Sequence, residues 1–450
     1  MFIDFLEKVF KENSSRDAVI WKDKSYSYEW LTEKLNQWNE LFKEKKIPKG
    51  SVVILEADFS PNAIAVFLAL IEHGCVLVPI TKTIEEKKEE FISTAQGEWS
   101  VHIDDQDDPH INRLGTKAGH PHYVQLRKLS HPGLVLFSSG STGKSKAAVH
   151  DMSCLLEKFK VRKRRMRTIP FLLYDHIGGV NTLFYSLSNA GCIVTVQDRS
   201  PDNVLRAVER HGVELLPISP TFLNLILLSE AYKKYDISSL KTVTYGTEPM
   251  PESTLKRFHE LFPEIRLQQT YGLSELGILR SKSKQSDSLW VKIGGEGFQT
   301  RVANGILQIK ARAAMLGYLN APSPFSDDGW FDTGDYVEQN GEYFRIFGRK
   351  SEMINVGGEK VTPAEVESVI QEMDNVAEVT VFGEKNLITG NIVATRIRLI
   401  EEEDHAAFKT RLRKHCLKML ANYKIPRLIE FDQKRQHGER FKKIRNIRSS

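Results

Sequence analysis

Four short segments of this chain carry residue types that can bind phosphate groups, sugar hydroxyl groups and a divalent metal ion. The first covers residues 138–146 and reads Ser-Ser-Gly-Ser-Thr-Gly-Lys-Ser-Lys, directly after an apolar run. Its small residues leave backbone N–H groups open to phosphate oxygens, and its hydroxyl and ammonium groups add donors. A Walker loop is excluded, because the glycine required five residues before Gly143 is Ser138. A flexible turn is the alternative.

Two further segments combine an aromatic side chain with a carboxylate. Residues 269–275 read Gln-Thr-Tyr-Gly-Leu-Ser-Glu, in which Tyr271 can stack on a purine and Glu275 can reach Mg²⁺ at phosphates. Residues 330–335 end in Asp335 and are followed by Arg349, a pair that can bind ribose hydroxyl groups. Such charge-assisted hydrogen bonds contribute about 1.5–3 kcal/mol each. The alternatives are an edge tyrosine with a surface glutamate, and a hairpin with a structural Asp–Arg pair.

The fourth segment is the basic end of the chain, residues 440–445, which reads Arg-Phe-Lys-Lys-Ile-Arg. A mobile lysine here can neutralise charge at an α-phosphate, and Lys442 and Lys443 are both candidates. A solvated basic tail is the alternative.

The elements that must position these segments alternate between strands and helices, which is typical of parallel α/β layers. Strands are predicted at residues 52–55, 76–80, 192–196, 215–218 and 242–245, and helices at 61–73, 202–211 and 221–229. Residues 104–128 are predicted to be rich in loops. From about residue 294 the strands become short and are separated by glycines, at residues 305–310, 329–337 and 341–347. This pattern predicts a small β-rich subdomain with hairpins.

After Arg349 a new α+β unit begins. Its predicted elements are a strand at residues 353–356, a helix at 363–372, strands at 377–382 and 392–399, and a helix at 405–420. We therefore predict two domains, residues 1–350 and residues 351–450.

The amino-acid composition limits the classes of protein to which this chain can belong. The 450 residues are 41% hydrophobic and 27% charged with a net charge of +5, which indicates folded domains and no bulk polyanion partner. Four scattered cysteines without metal-binding spacing favour reduced thiols in the cytoplasm. The apolar run at residues 63–80 contains Glu72 and His73, and the first ten residues contain Asp4, Glu7 and Lys8. We therefore expect neither a membrane span nor a signal peptide. The sequence indicates no oligomeric state.

Taken in this order, the four segments resemble the adenylate-forming superfamily of acyl-CoA synthetases, aryl-CoA ligases, luciferases and peptide-synthetase adenylation domains. The resemblance runs from about residue 26 to residue 445 and includes Gly357-Gly358 and the run Pro-Ala-Glu-Val-Glu at residues 363–367. It implies a large N-terminal domain of layered parallel α/β subdomains with a small β-rich subdomain, followed by a small mobile α+β domain. It also implies that ATP and Mg²⁺ activate a small carboxylic acid as an acyl-adenylate, which then forms a thioester with CoA.

The resemblance further implies roles for individual residues. ATP binding is implied for Ser139, Gly140, Ser141, Thr142, Gly143, Lys146, Gly246, Thr247, Glu248, Tyr271, Gly272, Asp335 and Arg349. Ser274 would contact the α-phosphate, Glu275 would hold Mg²⁺, and Lys442 would bridge the acyl carboxylate and the α-phosphate. Gly357 and Gly358 would line the thiol tunnel, and Ser351 occupies the hinge position.

The acid would bind beside residues 173–179, which resemble the His-x-Gly-Gly stretch of the family. His176 is then a residue of the acyl pocket, although it can equally cover the start of a helix. Asp175 lies near the position at which amino-acid-activating relatives bind an ammonium group. The other pocket candidates are Thr221, Asn224, Gly246 and Gly277.

Some positions depart from the family pattern. The phosphate-binding segment ends Ser-Lys-Ala instead of Pro-Lys-Gly, Ser351 replaces the usual Asp or Lys, and Phe441 replaces the glycine before the catalytic lysine. Two alternatives therefore stay open: loading of the acid or an amino acid onto the pantetheine of an acyl carrier protein, and binding of nucleotide or acid without catalysis.

Residues 158–167 include seven basic residues. They can attract the phosphates of CoA or an acidic carrier protein, or form a solvated helix face. Nucleic-acid binding is not indicated, because interleaved aromatic residues are missing.

Overall fold

The computed structural model describes residues 2–138, 145–434, 436–438 and 443. Twelve α-helices occur in this part of the chain: Asp4–Glu12, Tyr28–Glu44, Pro61–Glu72, Lys88–Thr94, Pro121–Leu129, Met152–Leu156, Ile177–Ser188, Pro201–His211, Pro220–Ser229, Glu252–Leu261, Pro363–Gln371 and His405–Met419. Short 3₁₀ helices cover Lys82–Lys87, Glu157–Phe159, Ala231–Lys233, Lys350–Glu352 and Asn422–Lys424. None of the described helices combines the length and the apolar character that crossing a membrane would require.

Serine-proline pairs determine where three of the helices begin. Ser60, Ser200 and Ser219 each accept a hydrogen bond from the backbone N–H three residues later, and a proline follows each serine. The serine hydroxyl satisfies an N–H that has no partner inside the helix, and proline lacks the N–H that would otherwise be left unsatisfied.

The first of two seven-stranded sheets is parallel except at one edge. Its strands follow the order Arg266–Gln269, Thr242–Tyr245, Leu215–Ile218, Arg167–Thr168, Cys192–Val194, Asp17–Trp21 and Lys24–Ser27. Only the last pair is antiparallel. The predicted strands at residues 215–218 and 242–245 are confirmed at those residues, and the strand predicted at residues 192–196 ends two residues earlier.

The second seven-stranded sheet has four parallel central strands. Its order is Gly317–Tyr318, Lys146–Asp151, Gly133–Ser138, Val76–Ile80, Val52–Glu56, Trp99–Ile103 and Pro109–Arg113. Val52–Glu56 and Val76–Ile80 are buried along their whole length, as strands covered on both faces must be. Residues 61–71 of the intervening helix are also buried on every side and form part of the largest hydrophobic core.

The prediction that residues 104–128 are rich in loops was wrong in two places. Pro109–Arg113 is an edge strand that pairs antiparallel with Trp99–Ile103, and Pro121–Leu129 is a helix that buries Tyr123 and Leu126. The edge strand has four exposed residues and only one partly buried residue, so no hydrophobic alternation marks it. Its pairing depends on backbone groups, which the side-chain pattern does not reveal.

An antiparallel sheet of six strands forms the predicted β-rich subdomain. The order is Ser281–Ser283, Trp290–Ile293, Tyr343–Arg349, Phe331–Asn340, Ile306–Ala311 and Phe298–Ala303. A separate hairpin joins Gly272–Leu273 to Gly277–Ile278.

The C-terminal unit has its own hydrophobic core between one sheet and two helices. Its strands are Glu359–Val361, Ile354–Val356, Gly390–Leu399 and Val376–Asn386, and Leu428–Phe431 adds to Gly390–Leu399 in parallel. The last strand was not predicted. The division of the chain between residues 350 and 351 stays a prediction.

Candidate active site

A hydrogen-bonded cluster joins Tyr271, Asp335 and Arg349. Asp335 and Arg349 face each other across adjacent strands. The Tyr271 hydroxyl donates to Oδ2 of Asp335 at 2.5 Å, and Nε of Arg349 lies 3.0 Å from Oδ1. Burial of Tyr271 and its negatively charged neighbour Asp335 raise the pKa of the phenol well above its ordinary value. The phenol therefore stays protonated and acts as a donor to the carboxylate.

Backbone and hydroxyl groups fix the orientation of Asp335. Its N–H donates to Oγ1 of Thr333 at 3.0 Å, and the Thr333 hydroxyl donates to the Leu307 carbonyl at 2.7 Å. The carbonyl of Thr333 also accepts a hydrogen bond from Nη1 of Arg349. Asp335 is 7% exposed, whereas the Arg349 side chain is 46% exposed, so the arginine reaches from a buried carboxylate toward solvent.

Glu275 is held by a tyrosine that the sequence analysis did not identify. The Tyr318 hydroxyl donates to Oε1 of Glu275 at 2.6 Å, and the Lys146 ammonium lies 5.2 Å from the centre of the Tyr318 ring. Burial, followed by the charge of Glu275, raises the pKa of Tyr318, and the charge of Arg349 opposes the rise. Arg349 likewise opposes the rise at Tyr271. Both tyrosine–carboxylate pairs therefore lie within the electrostatic range of one arginine.

Asn320 holds the strand that leaves the predicted phosphate-binding segment. Its side-chain amide donates to the Ser145 carbonyl at 2.9 Å and accepts from the Ala147 N–H at 3.0 Å. Gly317–Tyr318 pairs with the same strand. The run Gly-Tyr-Leu-Asn at residues 317–320 is the signal that could have identified both residues. Ser139, Gly140, Ser141, Thr142 and Gly143 lie outside the described residues.

A buried histidine supports the segment that contains Ser274 and Glu275. His150 is 0% exposed and donates from Nε2 to the Ser274 carbonyl at 2.6 Å. Burial lowers the pKa of His150 to about 4, against the smaller opposing effect of the bond to Ser274. The imidazole is therefore neutral at physiological pH, and it connects the strand after the predicted phosphate-binding segment to residue 274. Among the described residues, none forms a hydrogen bond with the Ser274 hydroxyl.

The predicted adenine segment makes a tight turn. A Cβ atom on Gly246 would lie 2.7 Å from Oγ1 and 2.8 Å from the carbonyl oxygen of Thr270, and Thr247 has a φ of +74°. Gly272 is equally close to its partner strand, because a Cβ there would lie 2.8 Å from the Gly277 carbonyl oxygen. Glycine is therefore required at both positions by close backbone approach.

Glu248 connects this segment to the C-terminal end of the chain. Its Oε1 accepts from the N–H and the hydroxyl of Thr221 at 2.8 and 2.5 Å, and its Oε2 accepts from the Lys443 N–H at 3.1 Å. The Lys443 ammonium is directed to the buried carboxylate of Glu367 at 2.9 Å. Lys442 lies outside the described residues.

Further contacts join the C-terminal unit to the rest of the chain. Ser253 donates from its hydroxyl to the Ser368 carbonyl at 3.0 Å, and the Asn224 amide reaches the Ala377 carbonyl at 3.5 Å. Thr221, Asn224, Glu248 and Lys443 line one narrow cleft between the two parts. Asn224 thus faces the C-terminal unit in this arrangement.

His176 caps the start of the helix Ile177–Ser188, as one of the two interpretations of this residue predicts. Its Nδ1 accepts from the Gly178 N–H at 2.9 Å. Asp175 is buried and accepts from the Thr81 hydroxyl at 3.2 Å. A Cβ on Gly179 would lie 1.9 Å from the Leu173 carbonyl oxygen, so the Gly-Gly pair also has a packing reason.

Residues 158–167 do not form the helix face that was one of the two alternatives for them, although five of their seven basic residues are exposed. A 3₁₀ helix, Glu157–Phe159, precedes an irregular segment that leads to the strand Arg167–Thr168. The Lys158 ammonium is enclosed, because it donates to Oδ1 of Asn181 at 2.6 Å and to the Ile278 carbonyl at 2.8 Å. Gly277, next to Ile278, has a φ of +78° and a buried position against Leu155.

The predicted thiol-tunnel and hinge residues follow Arg349 in the chain. Gly357 and Gly358 are exposed at the turn between Ile354–Val356 and Glu359–Val361, and Ser351 is exposed in Lys350–Glu352. The Gly357 N–H donates to the Thr389 carbonyl at 2.8 Å, so the turn contacts a second hairpin of the C-terminal unit.

Comparison with known proteins identifies the domains on which these residues lie. The AMP-binding enzyme family matches residues 6–298, and the AMP-binding enzyme C-terminal domain matches residues 365–436. The indoleacetate–CoA ligase of Aromatoleum aromaticum is 28% identical over 67% of this chain and 63% of its own length. Acyl-CoA synthetase 7 of Caenorhabditis elegans is 31% identical over 66% of this chain and 61% of its own length. The chain thus spans about three fifths of the length of these two relatives.

A longer match and two solved structures complete the comparison. The long-chain-fatty-acid–CoA ligase FadD13 of Mycobacterium tuberculosis is 24% identical over 91% of this chain and 90% of its own length. The anthranilate CoA ligase AuaEII in complex with anthranoyl-AMP superposes with a TM-score of 0.81 at 19% identity, over 96% of this chain and 93% of that one. The o-succinylbenzoate CoA synthetase of Bacillus subtilis superposes with a TM-score of 0.77 at 19% identity, over 98% and 97%. At this identity the likeness concerns the fold, and the predicted fold class is confirmed.

Proposed function

Because this chain belongs to the AMP-binding enzyme family, we propose that it activates a small carboxylic acid with ATP. The product is an acyl-adenylate, pyrophosphate is released, and the acyl group then passes to the thiol of CoA. The observation that carries the proposal is the buried Tyr271–Asp335 pair, to which Arg349 is bonded, together with the Tyr318–Glu275 pair within the electrostatic range of that arginine.

Asp335 would bind the ribose of ATP. One of its oxygens contacts Tyr271 and the other contacts Arg349, at 2.5 and 3.0 Å. A carboxylate has about four acceptor positions, so two protein donors leave room for the two ribose hydroxyl groups. Arg349 would add a charge-assisted hydrogen bond to the ribose. Tyr271 would stack its ring on the adenine, which would also lie beside Gly246, Thr247 and Glu248.

Glu275 would hold Mg²⁺ together with the phosphates of ATP. Within the described part of the chain, Tyr318 donates to Oε1 and no protein group bonds Oε2. Mg²⁺ is commonly bound through one or two carboxylates and the substrate phosphates, which fits a single glutamate with an available oxygen. Bound there, the ion would supply charge neutralisation for the phosphates. Lys146 and the hydroxyl and glycine residues at 139–143 would bind the β- and γ-phosphates.

Adenylation would proceed by in-line displacement at the α-phosphorus. A carboxylate oxygen of the acid forms the new P–O bond, and the bond from the α-phosphorus to the bridging oxygen breaks with its electrons leaving on pyrophosphate. Most of the acceleration would come from positioning and charge stabilisation. Lys442 is the proposed cation between the acid and the α-phosphate, with Ser274 beside it, because the Lys443 ammonium is already engaged by Glu367.

Thioester formation would need a different arrangement of the C-terminal unit. The thiolate of CoA attacks the acyl carbonyl, and the C–O bond to AMP breaks with its electrons leaving on the phosphate. Gly357 and Gly358 are exposed here, which fits a rotation near Ser351 that would bring them to the acyl group. His176, Asp175 and Gly277 are the proposed neighbours of that acyl group, with Thr221, Asn224 and Gly246 as further candidates.

Exchange of labelled pyrophosphate into ATP across a panel of aliphatic, aromatic and amino acids tests the first step. We expect exchange with at least one acid and a raised KM for ATP in the exchange catalysed by Asp335→Asn. The matched control is Asp332→Asn, because this exposed carboxylate accepts a hydrogen bond from the Gly334 N–H, at 2.8 Å, and from no other described residue. Absence of exchange with every acid refutes the proposal and favours a binding protein without catalysis. A second assay that offers CoA or a pantetheine-bearing carrier protein identifies the thiol acceptor.

A further inference from the structure

A mostly buried lysine lies where two elements of the proposed acyl pocket meet. The Lys158 ammonium contacts Asn181 on the helix Ile177–Ser188, which begins next to His176, and the carbonyl of Ile278, which follows Gly277. These two elements pack against each other. Lys158 therefore lies at the same junction as two of the residues predicted to surround the acid.

Among the described residues, no carboxylate forms an ion pair with this ammonium. Both of its hydrogen-bond partners are neutral, at 2.6 and 2.8 Å, and the Phe159 ring lies 4.9 Å from it. Lys163 and Arg280 are close enough to repel it, and within the described residues neither of them forms an ion pair. A buried charge without a counterion is costly, so proteins normally pair it.

Burial, and then repulsion by Lys163 and Arg280, lowers the pKa of Lys158 to about 7. An anion beside the ammonium would favour its charged form and so oppose both effects. Of its three N–H donors, two are used by Asn181 and Ile278, and the third has no acceptor among the described residues.

We infer that Lys158 binds a second anionic group at the far end of the acid, so that the substrate class is dicarboxylic acids. This inference rests on the proposed function, because it concerns the acid that is adenylated at its other end. Lys163 and Arg280 add positive potential around the same position, which favours a dianionic over a monoanionic acid. One carboxylate then reacts with ATP, and the other stays ionised against Lys158.

Pyrophosphate exchange with matched pairs of acids tests the inference without any mutation. Each pair has the same carbon skeleton with one or two carboxylates, for example hexanoate with adipate and benzoate with terephthalate. Since a charge-assisted bond contributes about 1.5–3 kcal/mol, we expect at least about tenfold higher kcat/KM for one dicarboxylate than for its partner. Lys158→Met should remove that preference while exchange with the monocarboxylate persists.

Lys160→Met is the matched control, because Lys160 is exposed and, within the described part of the chain, pairs only with Glu157, at 2.5 Å. It should leave the preference unchanged. If wild-type protein adenylates monocarboxylates as well as or better than every dicarboxylate, the inference is wrong and the proposed function still holds. If Lys158→Met instead raises only the KM for CoA, the lysine serves the phosphates of CoA and the inference is also wrong. Exchange with no acid refutes the proposed function itself.

Discussion

Replacing Lys158 with methionine removes a buried ammonium and keeps a side chain of similar length. Lys158 titrates near pH 7 in the folded protein, against 10.5 for an unperturbed lysine. A lysine whose pKa is lowered by folding destabilises the fold in its protonated form. The penalty is complete below pH 7 and is relieved as the pH rises from 7 to 10.5.

The linkage between protonation and folding gives the size of this destabilisation. With these two pKa values, the penalty is about 5 kcal/mol at pH 6 and about 2 kcal/mol at pH 9. The wild-type protein should therefore gain about 3 kcal/mol relative to Lys158→Met between pH 6 and pH 9. The variant also loses hydrogen bonds to Asn181 and Ile278, which costs about 1–3 kcal/mol for each acceptor left unpaired. That cost does not depend on pH and cancels in the comparison.

Urea unfolding followed by tryptophan fluorescence measures the difference. We would compare wild type, Lys158→Met and the exposed control Lys160→Met at both pH values, and analyse the transition that involves the N-terminal part of the chain. The difference in unfolding free energy between wild type and Lys158→Met should change by about 3 kcal/mol between pH 6 and pH 9. The difference between wild type and Lys160→Met should stay constant. If the first difference is also constant, Lys158 is solvated and the electrostatic reasoning is wrong.

Three other predictions concern the proposed chemistry and the packing around it. Asp335→Ala should raise the KM for ATP about tenfold to hundredfold, because one or two charge-assisted hydrogen bonds to the ribose are lost. The preference among acids should not change, and a changed preference in steady-state kinetics would contradict the role of Asp335 at the ribose. Lys442→Ala should lower the rate of pyrophosphate exchange by about 10²–10³, and a larger loss in Lys443→Ala would show that the register of the catalytic lysine is wrong. Gly179→Ala should destabilise the protein by several kcal/mol and lower its melting temperature, because the new Cβ would lie 1.9 Å from a backbone carbonyl oxygen. Gly119→Ala is the control: a Cβ there would have open space around it, so the melting temperature should stay nearly unchanged.

The order of elements was largely predictable from hydrophobic patterns. The buried strands and their intervening helices carry continuous apolar runs or amphipathic periods, and most observed bounds lie within two residues of the predicted ones. The edge strand Pro109–Arg113 escaped prediction because its side chains are mostly exposed. Leu428–Phe431 escaped for a related reason, since it is an edge strand with no fully buried residue.

The sequence by itself determined which groups are available for nucleotide chemistry. The residues of each motif are close in the chain, so their types and spacing are readable without a structure, and Asp335 and Arg349 could be named as a pair. The sequence also determined the fold class, because periodicity and turn residues act over short distances. The roles of the motif residues stay predictions until kinetic measurements test them.

Only the tertiary structure decided which distant side chains support these motifs. Tyr318 lies 43 positions from Glu275, and His150 lies 124 positions from Ser274. Neither partner belongs to one of the four segments from which the site was predicted, and a hydrogen bond across such a separation depends on strand order, which local patterns do not encode. The same holds for Lys158, which looked like one member of a solvated basic run. Its burial arises because a helix, a hairpin strand and a 3₁₀ turn from three parts of the chain meet around its ammonium group.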